Sequence, residues 1–171
     1  TAGGVGSSTI GYNNTATNEN ASAFGYGNTA GGLASSAFGF SNTASGDNAN
    51  AFGYNNIASG SKSNVFGTGN TVSGSSSTAV GTANEVAAEN STAIGNNNTI
   101  SAGAENSAAL GNNISISLKD SVALGNNSTA TAINSVTGNS SYTKWAGVSD
   151  VVGVVSVGSS GATRQIQNVA A

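Results

Sequence analysis

Along most of the chain the apolar residues follow neither a simple alternation nor a helical spacing; one short phrase returns instead at a fixed interval. Ala23-Phe24-Gly25 recurs as Ala37-Phe38-Gly39, Ala51-Phe52-Gly53, Val65-Phe66-Gly67 and Ala79-Val80-Gly81, each 14 residues after the last. The same register holds at Thr9-Ile10-Gly11 before this run and at Ala93-Ile94-Gly95, Ala109-Leu110-Gly111 and Ala123-Leu124-Gly125 after it, with one 16-residue interval between Gly95 and Gly111. Five residues after each glycine stands a second apolar position, filled by Ala16, Ala30, Ala44, Ala58, Val72, Val86, Ile100, Ile116 and Ala130. A period this regular marks stacked repeats, one coil for each anchor glycine.

Within a coil, the four residues before the glycine alternate in facing. In Ser121-Val122-Ala123-Leu124, Val122 and Leu124 share one side and the small residues share the other, which is a short strand. A polar turn follows, such as Asn96-Asn97-Asn98, then a second short run such as Asn98-Thr99-Ile100. Ser45-Gly46, Ser59-Gly60 and Ser73-Gly74 mark a closing corner, at which glycine is expected to supply a positive φ. Equivalent strands of successive coils then lie parallel and in register, giving an all-β parallel roll roughly 40 Å tall at about 4.8 Å per coil. In the eighth coil Ile114, Ile116 and Leu118 alternate with serines, which predicts a longer second strand there.

Such a coil is thin, and two arrangements satisfy its pattern. Either the bulky column Ile10, Phe24, Phe38, Phe52, Phe66, Val80, Ile94, Leu110 and Leu124 points out as a greasy stripe that invites self-association, or it fills the roll while the alanines face outward. Stacking turns equal positions into ladders, so a repeated charge would face its own kind in every coil. Charge is accordingly scarce, and Glu19, Asp47, Glu89, Glu105 and Lys119 all fall six residues before their glycine, at an expected exposed corner. The column Asn14, Asn28, Asn42, Asn56, Asn70, Asn84 and Asn98 suits either amide ladders or turns. The aromatic column Tyr12, Tyr26, Phe40 and Tyr54 is the candidate ligand contact, with a structural stack between coils as its other reading.

Composition narrows the function. Only 6% of residues are charged, there is neither Cys nor His, and the net charge is −3 with four scattered basic residues. This leaves no thiol or zinc chemistry and no basic footprint for nucleic acid. The acids stand singly, and Glu89 with Glu105 on an exposed corner offers no cleft for paired-carboxylate catalysis. The Gly-Asp nonapeptides of calcium-binding rolls and the lysine of phosphate loops are missing as well. Neither an enzyme nor a cofactor is expected. An ice-binding array needs a flat threonine face, whereas Thr15, Thr29, Thr43, Thr71, Thr99 and Thr129 form one broken column. No long apolar run suits a membrane span, so any anchor is expected outside the segment. Thr1 to Thr9 reads as one more coil already in progress, as in a piece of a longer fibre.

After Ala130 the repeat fades, and the chain changes character near Trp145. A β-prone run, Val151 to Gly158, follows, and Ala162 to Ala171 is expected to begin a helix. Two motifs together resemble the trimeric autotransporter adhesins of the Yersinia adhesin type. Asn90-Ser91-Thr92-Ala93-Ile94-Gly95 and Asp120-Ser121-Val122-Ala123-Leu124-Gly125 resemble that family's head repeat, and Val155 to Ala171, with Val155, Val157, Arg164, Gln165, Ile166, Asn168 and Val169, is similar to its neck. The resemblance implies a homotrimer of left-handed rolls over residues 1–140. A neck over 141–171 would lead into a coiled-coil stalk, all on the outer surface of a Gram-negative cell. Left-handedness rests on the resemblance alone, since crossover sterics favour the other hand. Its implied partners are the chain itself and host matrix or other surfaces; a structural spacer within a longer fibre is the alternative. Each chain is expected to cross beneath the adjacent roll, with Ile166 and Val169 opening a helix and with Arg164 either solvated or paired with Asp120 or Asp150.

Overall fold

The computed structural model describes residues 1–132 and 153–166; Trp145, Asn168 and Val169 lie outside them. The repeat becomes a parallel solenoid, with no helix among the described residues. Eight five-residue strands, from Ser8–Tyr12 and Ser22–Tyr26 to Thr92–Asn96 and Ala108–Asn112, form one sheet. Val122–Leu124 and Val155–Ser156 extend it to ten strands. The two-residue strands, from Thr15–Ala16 to Thr129–Ala130, form a second sheet of nine. Every neighbouring pair is parallel, and successive coils set equal coil positions side by side: Phe24 faces Phe38, Gly25 faces Gly39 and Ala30 faces Ala44. Upstream of the first long strand, Ala2 bridges Ala16 in parallel, as a coil in progress would.

Burial decides which column faces inward. Ala23, Ala37, Ala51, Val65, Ala79, Ala93, Ala109 and Ala123 line one wall of the interior, and the column from Ala16 to Ala130 lines the other; all are buried. The bulky column stands outside, with Phe24, Phe38 and Phe52 half-buried and Ile10, Phe66, Val80, Ile94, Leu110 and Leu124 exposed. Two sheets joined by corners of a few residues leave no room for rings. The largest apolar side chains fully buried inside are Val65, Val72, Val86, Ile100, Ile114 and Ile116, all from the fifth coil on. The 16-residue coil keeps its strands in register, Ala93 with Ala109 and Ile100 with Ile116, and puts its extra length into the corner, where Ala102 and Gly103 are exposed.

Two expectations are corrected. The Ser-Gly corners do not use positive φ at glycine; the left-handed residues are two positions later, at Asn48, Lys62 and Ser76. The corner glycine is needed for space, because a methyl group on Gly60 would meet the Gly74 carbonyl oxygen at 2.3 Å. The eighth coil has no longer strand: Ser115–Ile116 matches its neighbours, Ile114 and Ile116 turn inward, and Leu118 is half-buried. There the Ser117 and Leu118 N–H groups both donate to the Ala130 carbonyl, bending the chain as in the other corners. Val155–Ser156 pairs with Val122 and Ala123 of its own chain. The last long strand leaves its edge groups open, and the β-prone run satisfies them: Val122 N–H donates to Val154 O at 2.8 Å and Val154 N–H to Ser121 Oγ at 3.0 Å. Residues 163–166 that follow are not helical, and Ile166 is exposed.

Candidate functional site

Each long strand carries its side chains around the anchor glycine, so two columns climb the outside of the ten-stranded sheet, one on either side of the glycines. The inner pair of coil neighbours sets the geometry: parallel, in-register strands bring equal residues about 4.8 Å apart, a distance at which aromatic rings stack. In the bulky column the ring centroids of Phe24 and Phe38 are 4.7 Å apart, those of Phe38 and Phe52 4.9 Å, and those of Phe52 and Phe66 5.3 Å, with planes within 13°. Above Phe66 the column continues as Val80, Ile94, Leu110 and Leu124, so an apolar stripe runs unbroken through all nine coils.

The second column is Tyr12, Tyr26, Phe40 and Tyr54. Its rings stack at 5.3, 5.0 and 5.3 Å with interplanar angles of 21°, 6° and 13°. All four are exposed, from 43% at Phe40 to 69% at Tyr12. Stacking along the roll covers ring faces with ring faces, so what reaches solvent is a row of ring edges. The column then becomes polar: Thr68, Thr82, Asn96 and Asn112 follow, and Asn96 Nδ2 donates to Asn112 Oδ1 at 2.8 Å. The column is therefore a stack between coils that leaves an exposed aromatic strip over the first four.

The corner expected to be exposed carries Glu19, Asp47, Glu89 and Lys119 in solvent, with Glu105 half-buried. Among the described residues no three of His, Cys, Asp and Glu come together as metal ligands would. Arg164 does something the sequence did not suggest. Its guanidinium lies over Gly125, 3.2 Å from where a Cβ would sit, the place taken in other coils by the next glycine carbonyl. It donates to the Val157 carbonyl at 3.0 Å, to Ser128 Oγ at 3.2 Å and to the Asn126 carbonyl. Arg164 thus ends the glycine column as a cap while staying exposed, and within the chain Asp120 accepts from Asn106 Nδ2 at 2.9 Å. The available signal was that the chain's one arginine stands in the segment that follows the repeats. Val157 is half-buried beside it, Val155 is 73% exposed, and Gln165 and Ile166 follow on the surface.

A search of curated proteins finds no match to this chain. A family profile described as the YadA head domain repeat, in two copies, matches residues 2–28, 30–56, 73–98 and 119–136. These segments cover more than half the chain, and their described residues fall on the solenoid whose coils the anchor glycines define. The chain therefore belongs to the YadA head-repeat family, as an adhesin-type surface domain built on a parallel β-roll.

Proposed function

We propose that this chain is the non-enzymatic head segment of a homotrimeric surface adhesin. Three rolls associate through the apolar stripe, and their outer faces hold host matrix or abiotic surfaces, and one another in autoaggregation, by many weak contacts. The observation that carries this reading is the stripe from Ile10 to Leu124, nine coils of outward apolar side chains on one face. A contiguous patch of that length marks an interaction surface. Threefold presentation on many fibres multiplies weak contacts into firm attachment. Residues 141–171 form the neck, which sets the number of chains where the roll meets a coiled coil, and membrane anchoring lies in other parts of the fibre. The whole is displayed on the outer surface of a Gram-negative cell.

The stripe gives the first test. Replacing Phe52 by Asp removes two ring stacks, each worth about 0.5–1.5 kcal/mol beyond area, and puts a charge at the threefold contact. Because Phe52 is outside the roll, the single-chain fold should keep its β signature in circular dichroism. Light scattering should show the mass falling from three chains to one. An unchanged mass would remove the stripe from the chain contact.

The aromatic strip gives the second. Tyr12, Tyr26, Phe40 and Tyr54 replaced together by Ser should leave the trimer mass unchanged and lower attachment to collagen-coated and polystyrene surfaces severalfold, measured on cells displaying the whole fibre. Attachment equal to the parent would leave the strip with a structural role only.

A further inference from the structure

Residues 153–164 close the C-terminal end of the roll by continuing the hydrogen-bond series that join its coils. On the long sheet the Ala108 N–H donates to Ser121 O, and the Val122 N–H then donates to Val154 O. The Ser107 and Ser121 N–H groups each donate to the serine hydroxyl of the preceding coil, and the Val154 N–H donates to Ser121 Oγ in the same way. On the short sheet Thr99 donates to Ile114 O, Ser115 to Ser128 O, and Thr129 to Gly158 O. Val155 and Ser156 thus take the places of Val122 and Ala123 in a further coil, and Gly158 takes that of the ladder residue. This coil is cut short, because it skips the anchor glycine and the turn. In the turn series the Asn113 N–H donates to Asn96 O and the Asn127 N–H to Asn112 O; the next carbonyl, Asn126 O, accepts from the Arg164 guanidinium instead.

We infer that residues 153–164 are an autoinhibitory strap, masking a roll end that without it recruits strands from further copies of the chain. Equal coil positions pair throughout the roll, so an uncovered end is complementary to any strand of the same repeat. Open edges of parallel, in-register sheets are templates for such pairing. The strap covers that edge without offering a new one of the same length. Its strand, Val155–Ser156, has two residues where the long strands have five. Beyond it Ser159 and Ala162 form an antiparallel bridge, each donating its N–H to the other's carbonyl, so the chain folds back on itself instead of starting another rung. Short strands and turned-back ends are how sheets blunt their edges. Docking also depends on a residue outside the roll: a Cβ on Gly153 would stand 1.9 Å from Asp120 O, so only glycine lets the strap lie this close. The strap acts at the end of the roll and not along the apolar stripe, so it works whether one chain or three are present.

The test is Gly153→Val in the 171-residue chain, which releases the strap and alters no coil. The Val122 and Thr129 amides should lose hydrogen-exchange protection as Val154 O and Gly158 O move away, while Thr29 and Thr43, bonded within the roll, keep the parent's. Light scattering should then show a mass several times the parent's that rises with concentration. Arg164→Ser, which removes only the guanidinium contacts, should do the same to a smaller degree. Adding Val122→Lys to Gly153→Val sets a charge on the uncovered edge strand and should bring the mass back to the parent's. Gly161→Asn is the control: Gly161 has φ 78° with nothing within 4 Å of its Cβ position, and the variant should match the parent in both measurements. Freely exchanging Val122 and Thr129 amides at the parent's mass, amides that stay protected in Gly153→Val, or a double variant that associates like the single one would each overturn the inference.

Discussion

Replacing Gly53 by Ala should unfold the fourth and fifth coils and lower the melting temperature of the whole head by about 10 °C or more, a loss of at least about 4 kcal/mol. Gly53 has φ 124°, a region L side chains rarely adopt, and a methyl group there would stand 2.0 Å from the Gly67 carbonyl oxygen. The obstruction is backbone, and it is not free to move. The Gly67 carbonyl accepts from Asn56 Nδ2 at 2.7 Å, while its strand is paired residue by residue with both neighbours. In a solenoid each coil touches only the next, so one broken step separates the stack into two shorter ones. The control is Gly69→Asn. Gly69 also has a positive φ, 64°, but nothing lies within 4 Å of its Cβ position, and Asn13, Asn55 and Asn97 stand at the same place in other coils. It should melt within a degree or two of the parent by circular dichroism. If Gly53→Ala did so too, close coil stacking would not be what fixes the glycine column.

The period, the two strands per coil and the parallel register were legible because stacking makes each of them a repeated letter. Phe24, Phe38 and Phe52 read as one column from their spacing alone, and they pair as one. The inward or outward choice was not legible, since alternation shows that Ala23 and Phe24 differ in facing without saying which side is closed. The width between the sheets decides it, and that width is set by corner geometry. The corners themselves were misread for a related reason. Glycine at Gly60 looks the same in sequence whether it supplies φ or room, and the residue that takes the left-handed conformation there is Lys62, which no turn rule would choose. Local alternation misled in the eighth coil, where the double donation of Ser117 and Leu118 to Ala130 O ends the strand early. Arg164 is a contact between segments 36 residues apart in the chain, Arg164 to Ser128, and so left no periodic trace. The candidate contact strip is legible as a column of aromatic letters.

The asparagine ladder carries the second large effect. Asn56 Nδ2 donates to Asn42 Oδ1 at 3.0 Å, to Phe52 O at 3.1 Å and to Gly67 O at 2.7 Å. Its Oδ1 accepts from the Asn70 backbone N–H and from Asn70 Nδ2, both at 3.0 Å. Turn propensity does not explain the residue, because the positive φ belongs to Asn55 before it. With the side chain fully buried, removal leaves several polar groups without partners, each costing about 1–3 kcal/mol. Asn56→Ala should therefore destabilise the head by about 3–5 kcal/mol. Asn56→Asp should do worse, although it conserves shape, because it removes both donors and sets a carboxylate against the Phe52 and Gly67 carbonyl oxygens inside the roll. Asn56→Ile should fall below both in cost. Ile114 already occupies the ladder position of the eighth coil, fills the space, and keeps the ladder's last bond by donating its own N–H to Asn98 Oδ1 at 3.0 Å. The order Ile, Ala, Asp of increasing loss, measured as midpoints of guanidinium denaturation, separates a hydrogen-bonded ladder from a row of turn residues. Three midpoints that coincide, or an aspartate variant as stable as the parent, would mean that the buried amides contribute packing alone.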